Sequence, residues 1–148
     1  MFKRLISYLR MCKAVDDDVE RTLALPLDKA LADLFAFIQE NTGDVEFEVT
    51  DQNAMTAHIP DSIDWVTREL FAHYTKLYLV DSDALIVFGD YHPEINGFQV
   101  AQSGSDCYKV YIRNGSEKVY VISDANLEEE YPSIAHYILI ALPSYSAS

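Results

Sequence analysis

The second half of the sequence is dominated by short segments whose apolar residues recur at every second position or form uninterrupted runs. Such segments are typical of β-strands. Five of them follow one another, at residues 77–80, 84–88, 98–101, 107–113 and 118–122. Consecutive short strands joined by tight turns pair in the antiparallel direction. The sequence therefore predicts an antiparallel sheet built as a meander.

Two further patterns extend this sheet. Residues 45–49 alternate apolar and acidic side chains, which predicts a half-buried strand with Glu46 and Glu48 on its outer face. A weaker strand pattern covers residues 54–59. Asn114-Gly115 separates the last two predicted strands, and these residue types accept the positive φ angles that a type I′ turn requires at both central positions. We therefore expect a tight hairpin there.

Helical spacing of apolar residues predicts three helices that pack on the sheet. Their starts are indicated by Pro26, by Pro60-Asp61-Ser62 and by Pro132-Ser133. The positions expected to face the core are Leu27, Leu31, Leu34, Phe35 and Ile38 in the first helix, Ile63, Val66, Leu70, Phe71 and Tyr74 in the second, and Ile134, Tyr137, Ile138 and Leu142 in the third. Helices and strands that are grouped in this way favour the α+β class over a doubly wound parallel fold.

The first 13 residues predict a separate, basic amphipathic helix. Apolar residues recur at helical spacing and four bases occupy the other faces, with no acid in the segment. Such a helix docks on its own acidic domain, on a membrane or on another chain. Asp16-Asp17-Asp18 then interrupts the pattern and is expected to cap the start of a new element.

We interpret the chain as one domain. Residues 1–25 hold the basic helix and a connector, residues 26–142 form the α+β core, and residues 143–148 form a tail. A chain of 148 residues with 49% apolar residues is long enough to bury a single core of ordinary size.

The net charge restricts the class of partner. The chain has 24 acids and 11 bases, a net charge of −13. Four of the bases lie in the first 13 residues, so the remaining chain has 7 bases against 24 acids and a net charge of −17. Such a surface repels nucleic-acid phosphates and favours encounter with cationic surfaces. We therefore expect a basic protein as the partner and no binding to nucleic acid.

No residue pattern indicates catalysis. The four histidines show no metal-ligand spacing, the five glycines form no phosphate-binding loop, and neither Cys12 nor Cys107 lies in a known reactive context. The acidic runs Asp16-Asp17-Asp18 and Glu128-Glu129-Glu130 are consecutive, as solvated charge runs usually are. The sequence therefore predicts a binding protein with no catalytic residue, no cofactor and no metal.

The expected location is the cytoplasm. Two cysteines are too few for a disulfide framework and indicate free thiols in a reducing compartment. The sequence contains no apolar run long enough to cross a bilayer, and its start lacks the uninterrupted apolar region of a secretion signal.

The loop at residues 88–98 is the most unusual stretch and the main candidate for partner contacts. It combines two glycines, a proline, a histidine, two acids and several aromatic residues. One interpretation is an ordinary loop that uses its glycines for difficult backbone angles. The other is an exposed recognition loop, in which Tyr91 and His92 contact the partner and Asp90 and Glu94 meet its basic groups. Glu46 and Glu48 complete the set of predicted contacts.

The order of the predicted elements resembles that of the SUKH superfamily of SMI1/KNR4-like domains. The matching pieces are residues 59–63, which lead into the second helix, the strand ending in Phe88-Gly89, residues 97–100, residues 118–122 and the closing helix at 132–142. Thr75-Lys76-Leu77 stands where the family usually has Asn-Gly-Gly. The resemblance implies an antiparallel meander with flanking helices. Many bacterial members of that superfamily are immunity proteins, which neutralise a cognate toxin, often a nuclease, by binding it.

The sequence thus leads to one principal functional expectation and two alternatives. The principal expectation is an acidic immunity-type protein that binds a basic toxin of the nuclease kind. The first alternative is a regulatory or scaffold module that docks through the basic N-terminal helix. The second, less favoured, is a hydrolase.

Overall fold

The computed structural model describes residues 16–40, 43–50, 59–104, 108–123 and 126–147. The predicted N-terminal helix lies outside these residues. Residues 54–58 of the weak predicted strand also lie outside them. The described helices are α1 (Asp16–Leu23), α2 (Leu27–Glu40), α3 (Trp65–His73) and α4 (Ile134–Ala141). The strands are β1 (Val45–Val49), β2 (Tyr74–Leu79), β3 (Ala84–Ile86), β4 (Tyr91–His92), β5 (Gly97–Ser103), β6 (Tyr108–Arg113), β7 (Val119–Ser123) and β8 (Asn126–Tyr131), with a 3₁₀ turn at Pro93–Ile95 between β4 and β5.

The strands form one antiparallel sheet in the order β1-β2-β3-β5-β6-β7-β8, and β4 pairs with β5 next to β3. Neighbours in the sheet are neighbours in sequence, apart from the interruptions by α3 and β4. The predicted class, an α+β fold with an antiparallel meander and flanking helices, is therefore confirmed.

Helix α4 lies at the centre of the core. Its residues Ile134–Ala141 are all buried, with at most 2% exposure. Helices α1, α2 and α3 contact it, and β8 contacts it from the sheet. A helix that is apolar on every side is stable only when it is surrounded, and this arrangement provides the surroundings.

One polar contact fixes α4 against the helices. The His136 ring donates from Nε2 to the Leu25 carbonyl at 2.8 Å, since a carbonyl can only accept. Its Nδ1 then accepts from the Ser133 hydroxyl at 2.7 Å, and the same hydroxyl caps α4 by accepting from the His136 backbone N–H. Burial lowers the pKa of His136, so the imidazole is neutral in the folded protein.

The start and end of α3 differ from the prediction. Residues 60–62 form a turn, and the helix is capped by Asp64, whose carboxylate accepts from the Thr67 N–H at 3.1 Å. At the other end Tyr74, expected on the helix, is the first residue of β2. Helix α3 therefore passes into β2 without a loop, which places the Tyr74 ring against Phe35 and Phe47.

The predicted hairpin around Asn114-Gly115 is present, because the strands on either side pair in the antiparallel direction, but the predicted type I′ turn is wrong. Gly115 has a φ of 78°, whereas Asn114 does not have the positive φ that a type I′ turn requires. Residues 114–118 form a longer connection instead. The reason is tertiary: the Asn114 N–H donates to the Asn96 carbonyl and the Gly115 N–H to the Ser62 carbonyl, both at 3.0 Å.

The run Glu128-Glu129-Glu130 is not a solvated charge run as predicted but part of β8. Glu129 is 1% exposed and pairs with Val121 on the helix-facing side of the sheet. Alternation places Glu129 on the same side as Tyr131, which is fully buried, so the core position of the tyrosine determines that of the acid. Glu130 points to the other side and pairs with Lys118 at 3.2 Å.

Both ends of the expected core are extended by packed residues. Val19 of α1 is buried, and beyond α4 so are Tyr145 and Ala147 in the expected tail. The Tyr145 hydroxyl donates to the Asp33 carboxylate at 2.8 Å. No helix within the described ranges has the length and apolar composition to cross a membrane.

The buried neutral imidazole makes stability depend on pH. Below about pH 6.5 the unfolded chain protonates His136 while the folded chain does not, because the folded-state pKa is lowered. This site therefore makes the free energy of unfolding fall as the pH decreases from 6.5 toward the folded-state pKa, by up to about 1.4 kcal/mol per pH unit. Urea denaturation of the wild type and of His136→Gln between pH 7.5 and 5.5 measures the effect.

We expect His136→Gln to be less stable at pH 7.5 by about 1–3 kcal/mol, since the Leu25 and Ser133 contacts are disturbed, and to have a shallower pH dependence. His73→Gln is the matched control, because that ring is exposed on α3. Equal pH slopes for wild type and His136→Gln would contradict the assignment.

Candidate functional site

The first candidate surface lies at the end of the sheet, where β1 pairs with β2. The strand is present as predicted but is less buried than its alternation suggests. Val45 is buried, whereas Phe47 is 40% and Val49 71% exposed. Helix α3 contacts β2, and β1 lies one strand further from the helices. Its apolar side chains are therefore only partly covered.

A shallow groove of about 420 Å³ runs along β1 to β3 on the outer side of the sheet. Glu46 and Glu48 line it from β1, and opposite them on β2 lie Tyr78 and Lys76. The Lys76 ammonium is 3.0 Å from the Glu48 carboxylate. Leu85 forms the floor on β3, next to Tyr78. The groove thus has acidic and aromatic walls beside an exposed strand.

Tyr78 is held as a neutral hydrogen-bond donor in this groove. Its hydroxyl donates to the Asp83 carboxylate at 2.5 Å. That hydrogen bond, with smaller contributions from desolvation and from the charges of Asp83 and Glu46, raises the pKa of Tyr78. The ring is therefore a fixed wall of the groove that does not change charge near neutral pH.

The surface around the groove is strongly acidic. We define the β1 edge surface as β1, β2 and the turns at residues 43–44 and 80–83. It contains one base, Lys76, and five acids: Asp44, Glu46, Glu48, Asp81 and Asp83. Three of the other bases after residue 13 lie on or beside β6 and β7 at the far side of the sheet: Lys109, Arg113 and Lys118. Within the sheet, the net charge is therefore more negative at the β1 end than around β6 and β7.

The second candidate surface is the corner formed by β4 and the 3₁₀ turn. Tyr91 is 46% exposed, and its ring lies 5.2 Å from that of Phe98. Phe98 contacts Phe88 at 5.1 Å, and Phe88 contacts Phe71 of α3 at 5.7 Å. A continuous series of aromatic rings therefore connects the core to the surface at Tyr91.

Asparagine side chains hold this corner in place. Asn96 adopts the left-handed conformation with φ of 50°, which Asn tolerates better than most residues. Its side-chain oxygen accepts from the Tyr91 hydroxyl at 2.9 Å and from the Asn114 amide at 3.0 Å. The Asn114 oxygen in turn accepts from the Ser62 hydroxyl at 2.7 Å. The corner is thus tied to the β6–β7 connection and to the turn before α3.

His92 and Glu94 form a polar pair on the same corner. The His92 Nδ1 lies 3.2 Å from the Glu94 carboxylate, and the His92 ring contacts that of Tyr111. The pKa of Glu94 is lowered, first by the hydrogen bond from its own backbone N–H and then by His92. Asp90 is exposed, and its carbonyl accepts from the Gln99 N–H.

The six predicted contact residues therefore fall into two groups. Glu46 and Glu48 lie together on β1, while Asp90, Tyr91, His92 and Glu94 lie at the corner, with β2 and β3 between the two groups in the sheet. Sequence reasoning missed Lys76 and Tyr78, because alternation indicates which side a residue faces and does not indicate which strand lies next to β1. It also missed the asparagines that hold the corner.

The described residues contain no cluster of three or more His, Cys, Asp or Glu side chains that is suited to a metal ion. The Ser133–His136 contact resembles a nucleophile–base pair in its residue types. Both residues have an exposure of 0%, and their hydrogen bonds cap and anchor α4.

No protein-family model, curated protein or solved structure matches the chain.

The close packing of Gly97 at this corner can be tested by substitution. A methyl group at Gly97 would overlap the Ile112 carbonyl, which is backbone and cannot move aside. We expect Gly97→Ala to lower the free energy of unfolding by about 1–3 kcal/mol and to shift the NMR signals of Tyr91 and His92. At Gly104, the matched control, the nearest atom is a carboxylate oxygen of Asp83, 2.8 Å away on a side chain that can rotate. A larger loss of stability in Gly104→Ala than in Gly97→Ala would contradict this account.

Proposed function

We propose that the protein is an acidic, cytoplasmic immunity-type protein that neutralises a basic, nuclease-like toxin by binding it. The observation that carries the proposal is the β1 edge surface, where five carboxylates and one lysine surround an exposed strand and a groove. A nuclease must hold phosphates, so its surface is cationic around the active site. An acidic surface of this size complements it.

Electrostatic complementarity of this kind acts mainly on the rate of association and on the choice of partner. A net charge of −17 on residues 14–148 favours encounter with a cationic partner at low salt, and the five acids of the β1 edge surface orient its approach. The exposed Phe47 and Val49 then provide apolar area that charge alone cannot supply. The proposed role is therefore binding, without a chemical step.

The resemblance to the SUKH superfamily supports the same proposal. The sequence elements that carry it are the segment at residues 59–63 that leads into the second helix, the predicted meander and the closing helix at residues 132–142. Many bacterial members of that superfamily are immunity proteins, so the resemblance and the charge distribution favour the same class of function.

The test uses the basic toxin that the proposal expects to be encoded beside this protein, purified as a catalytically inactive variant. We expect calorimetry to detect a 1:1 complex whose Kd rises steeply between 50 and 500 mM salt. The double substitution Glu46→Gln and Glu48→Gln should weaken binding at least about tenfold, equivalent to about 1.4 kcal/mol. The absence of a complex, or an affinity insensitive to salt, would contradict the proposal.

A matched control separates local from global charge. Glu20→Gln with Asp28→Asn removes the same two charges from exposed positions on α1 and α2. This control should change Kd by less than about twofold in 150 mM salt, because the Debye length there is about 8 Å. Equal effects of the two double variants would show that net charge, and not the β1 edge surface, determines binding.

A second candidate function rests on the first 13 residues, which contain four bases and no acid. In that case the chain is a regulatory or scaffold module whose basic segment docks on an acidic protein or membrane. Deletion of residues 1–13 would then abolish assembly while circular dichroism and the melting temperature of the rest remain unchanged. For the immunity function, the same deletion should leave toxin binding intact.

A further inference from the structure

The edge of β1 exposes backbone hydrogen-bonding groups as well as side chains. The Val80 N–H donates to the Asp44 carbonyl at 3.1 Å, so Asp44 and Val80 form a hydrogen-bonded pair. Hydrogen-bonded and non-hydrogen-bonded pairs alternate along an antiparallel ladder. With the register Glu46↔Tyr78 and Glu48↔Lys76, the backbone groups of Glu46 and Glu48 face β2.

The backbone groups of the other β1 residues are directed away from β2. By the same alternation, the N–H and C=O groups of Val45 and Phe47 are directed away from β2. After the bulge at Glu48/Val49, the Thr50 N–H donates to the His73 carbonyl at 3.0 Å, so the groups of Val49 also point outward. Within the described part of the chain, β1 pairs with β2 alone. Three donors and three acceptors are therefore directed outward along this edge.

This edge has few of the features that usually block strand addition. Edge strands are commonly protected by proline, by lysine or by an inward-pointing charge. At the other end of the sheet, β8 has Glu129 turned into the core and Pro132 directly after it. Strand β1 has no proline, lysine or inward charge; its protective features are the outward charges of Glu46 and Glu48 and the register shift near its end. The two edges of the sheet are thus built differently.

The two faces of β1 specify the chemistry of an added strand. Glu46 and Glu48 lie on the outer face beside the 420 Å³ groove, which Phe47 also lines. By alternation the side chains of Phe47 and Val49 are directed to the opposite face, where the Phe47 ring contacts Tyr74. A strand that alternates basic and apolar residues would place its bases opposite the carboxylates and its apolar side chains opposite Phe47 and Val49. A second copy of this chain would place Glu46 and Glu48 against their own equivalents, which like-charge repulsion disfavours.

We infer that β1 is a docking edge for an extended basic–apolar segment of the partner protein, which adds to the sheet as a further antiparallel or parallel strand. This inference rests on the proposed function for the identity of the partner and deepens it by naming the contact. Backbone hydrogen bonds hold the segment, and the groove and the exposed apolar pair select its sequence.

The test uses a defined probe, the acetylated and amidated peptide of sequence Lys-Val-Lys-Val-Lys-Val-Lys, and residue-resolved amide exchange by NMR. In the free protein the amides of Val45, Phe47 and Val49 should exchange rapidly, while those of Glu46 and Glu48 are already protected. Saturation with the peptide should slow exchange of the first three at least about tenfold and leave the other two unchanged. This alternation is specific to strand addition, and a side-chain contact alone would not produce it.

Two controls distinguish strand addition through the backbone from binding through charge or side chains alone. The same peptide with N-methyl groups on alternate residues keeps its charge but cannot complete the ladder, and it should lose at least about tenfold in affinity. Phe47→Pro removes one outward N–H and should weaken binding more than Phe47→Ala, with the melting temperature and the β-sheet signal confirming that both variants fold. Equal binding of both peptides, or equal effects of both variants, would overturn the inference.

Three further outcomes would also overturn it. Protection of these amides in the free protein at every concentration would mean that the chain covers its own edge. Protection that grows with protein concentration would mean that a second copy occupies it. A toxin complex that leaves the exchange of Val45, Phe47 and Val49 unchanged would retain the proposed function and reject this docking edge, whereas peptide addition without toxin binding would retain the edge and reject the proposed function.

Discussion

The burial of α4 is the constraint on which the rest of the structure depends. A helix whose eight residues are all shielded from water needs neighbours on every side, and α1, α2, α3 and the sheet supply them. Its polar requirements are met within the core, by the Ser133 cap and by the His136 bond to the Leu25 carbonyl. That one bond joins residues 111 positions apart and fixes the connection between α1 and α2 against the closing helix.

The β1 edge surface lies away from α4, so its residues contribute differently to the stability of the fold. Val49 is 71% exposed, and Phe47 is 40% exposed although its ring packs on Tyr74, so part of their apolar surface does not stabilise the fold. That exposed part is available for recognition. The concentration of carboxylates around β1 costs some self-repulsion, which the Glu48–Lys76 ion pair partly offsets. The core and the surface thus have separate roles along one continuous sheet.

The order of most elements, apart from β4 and β8, could be predicted from sequence because alternation and helical spacing are local signals. What could not be predicted depends on neighbours that are remote in sequence. Glu129 is buried because β8 pairs with β7 and alternation then places it on the same side as Tyr131; the pairing of this strand was not predicted. Asn114 does not form the expected type I′ turn because it is hydrogen-bonded to Asn96 and Ser62, which are remote in sequence. On the candidate surfaces, the positions of Glu46 and Glu48 on the outer face of β1 could be predicted from alternation. The position of Lys76 beside Glu48 could not, because it depends on which strand pairs with β1.

The position of α4 within the chain also determines when the protein can fold during synthesis. Domains generally fold as units, and this core includes residues of α4 together with Tyr145 and Ala147. Until residues 134–147 are available, the sheet lacks the helix that covers its inner face. Folding must therefore wait until the chain has been extended beyond residue 147. A chain without these residues would leave apolar surface of the core uncovered, which favours aggregation.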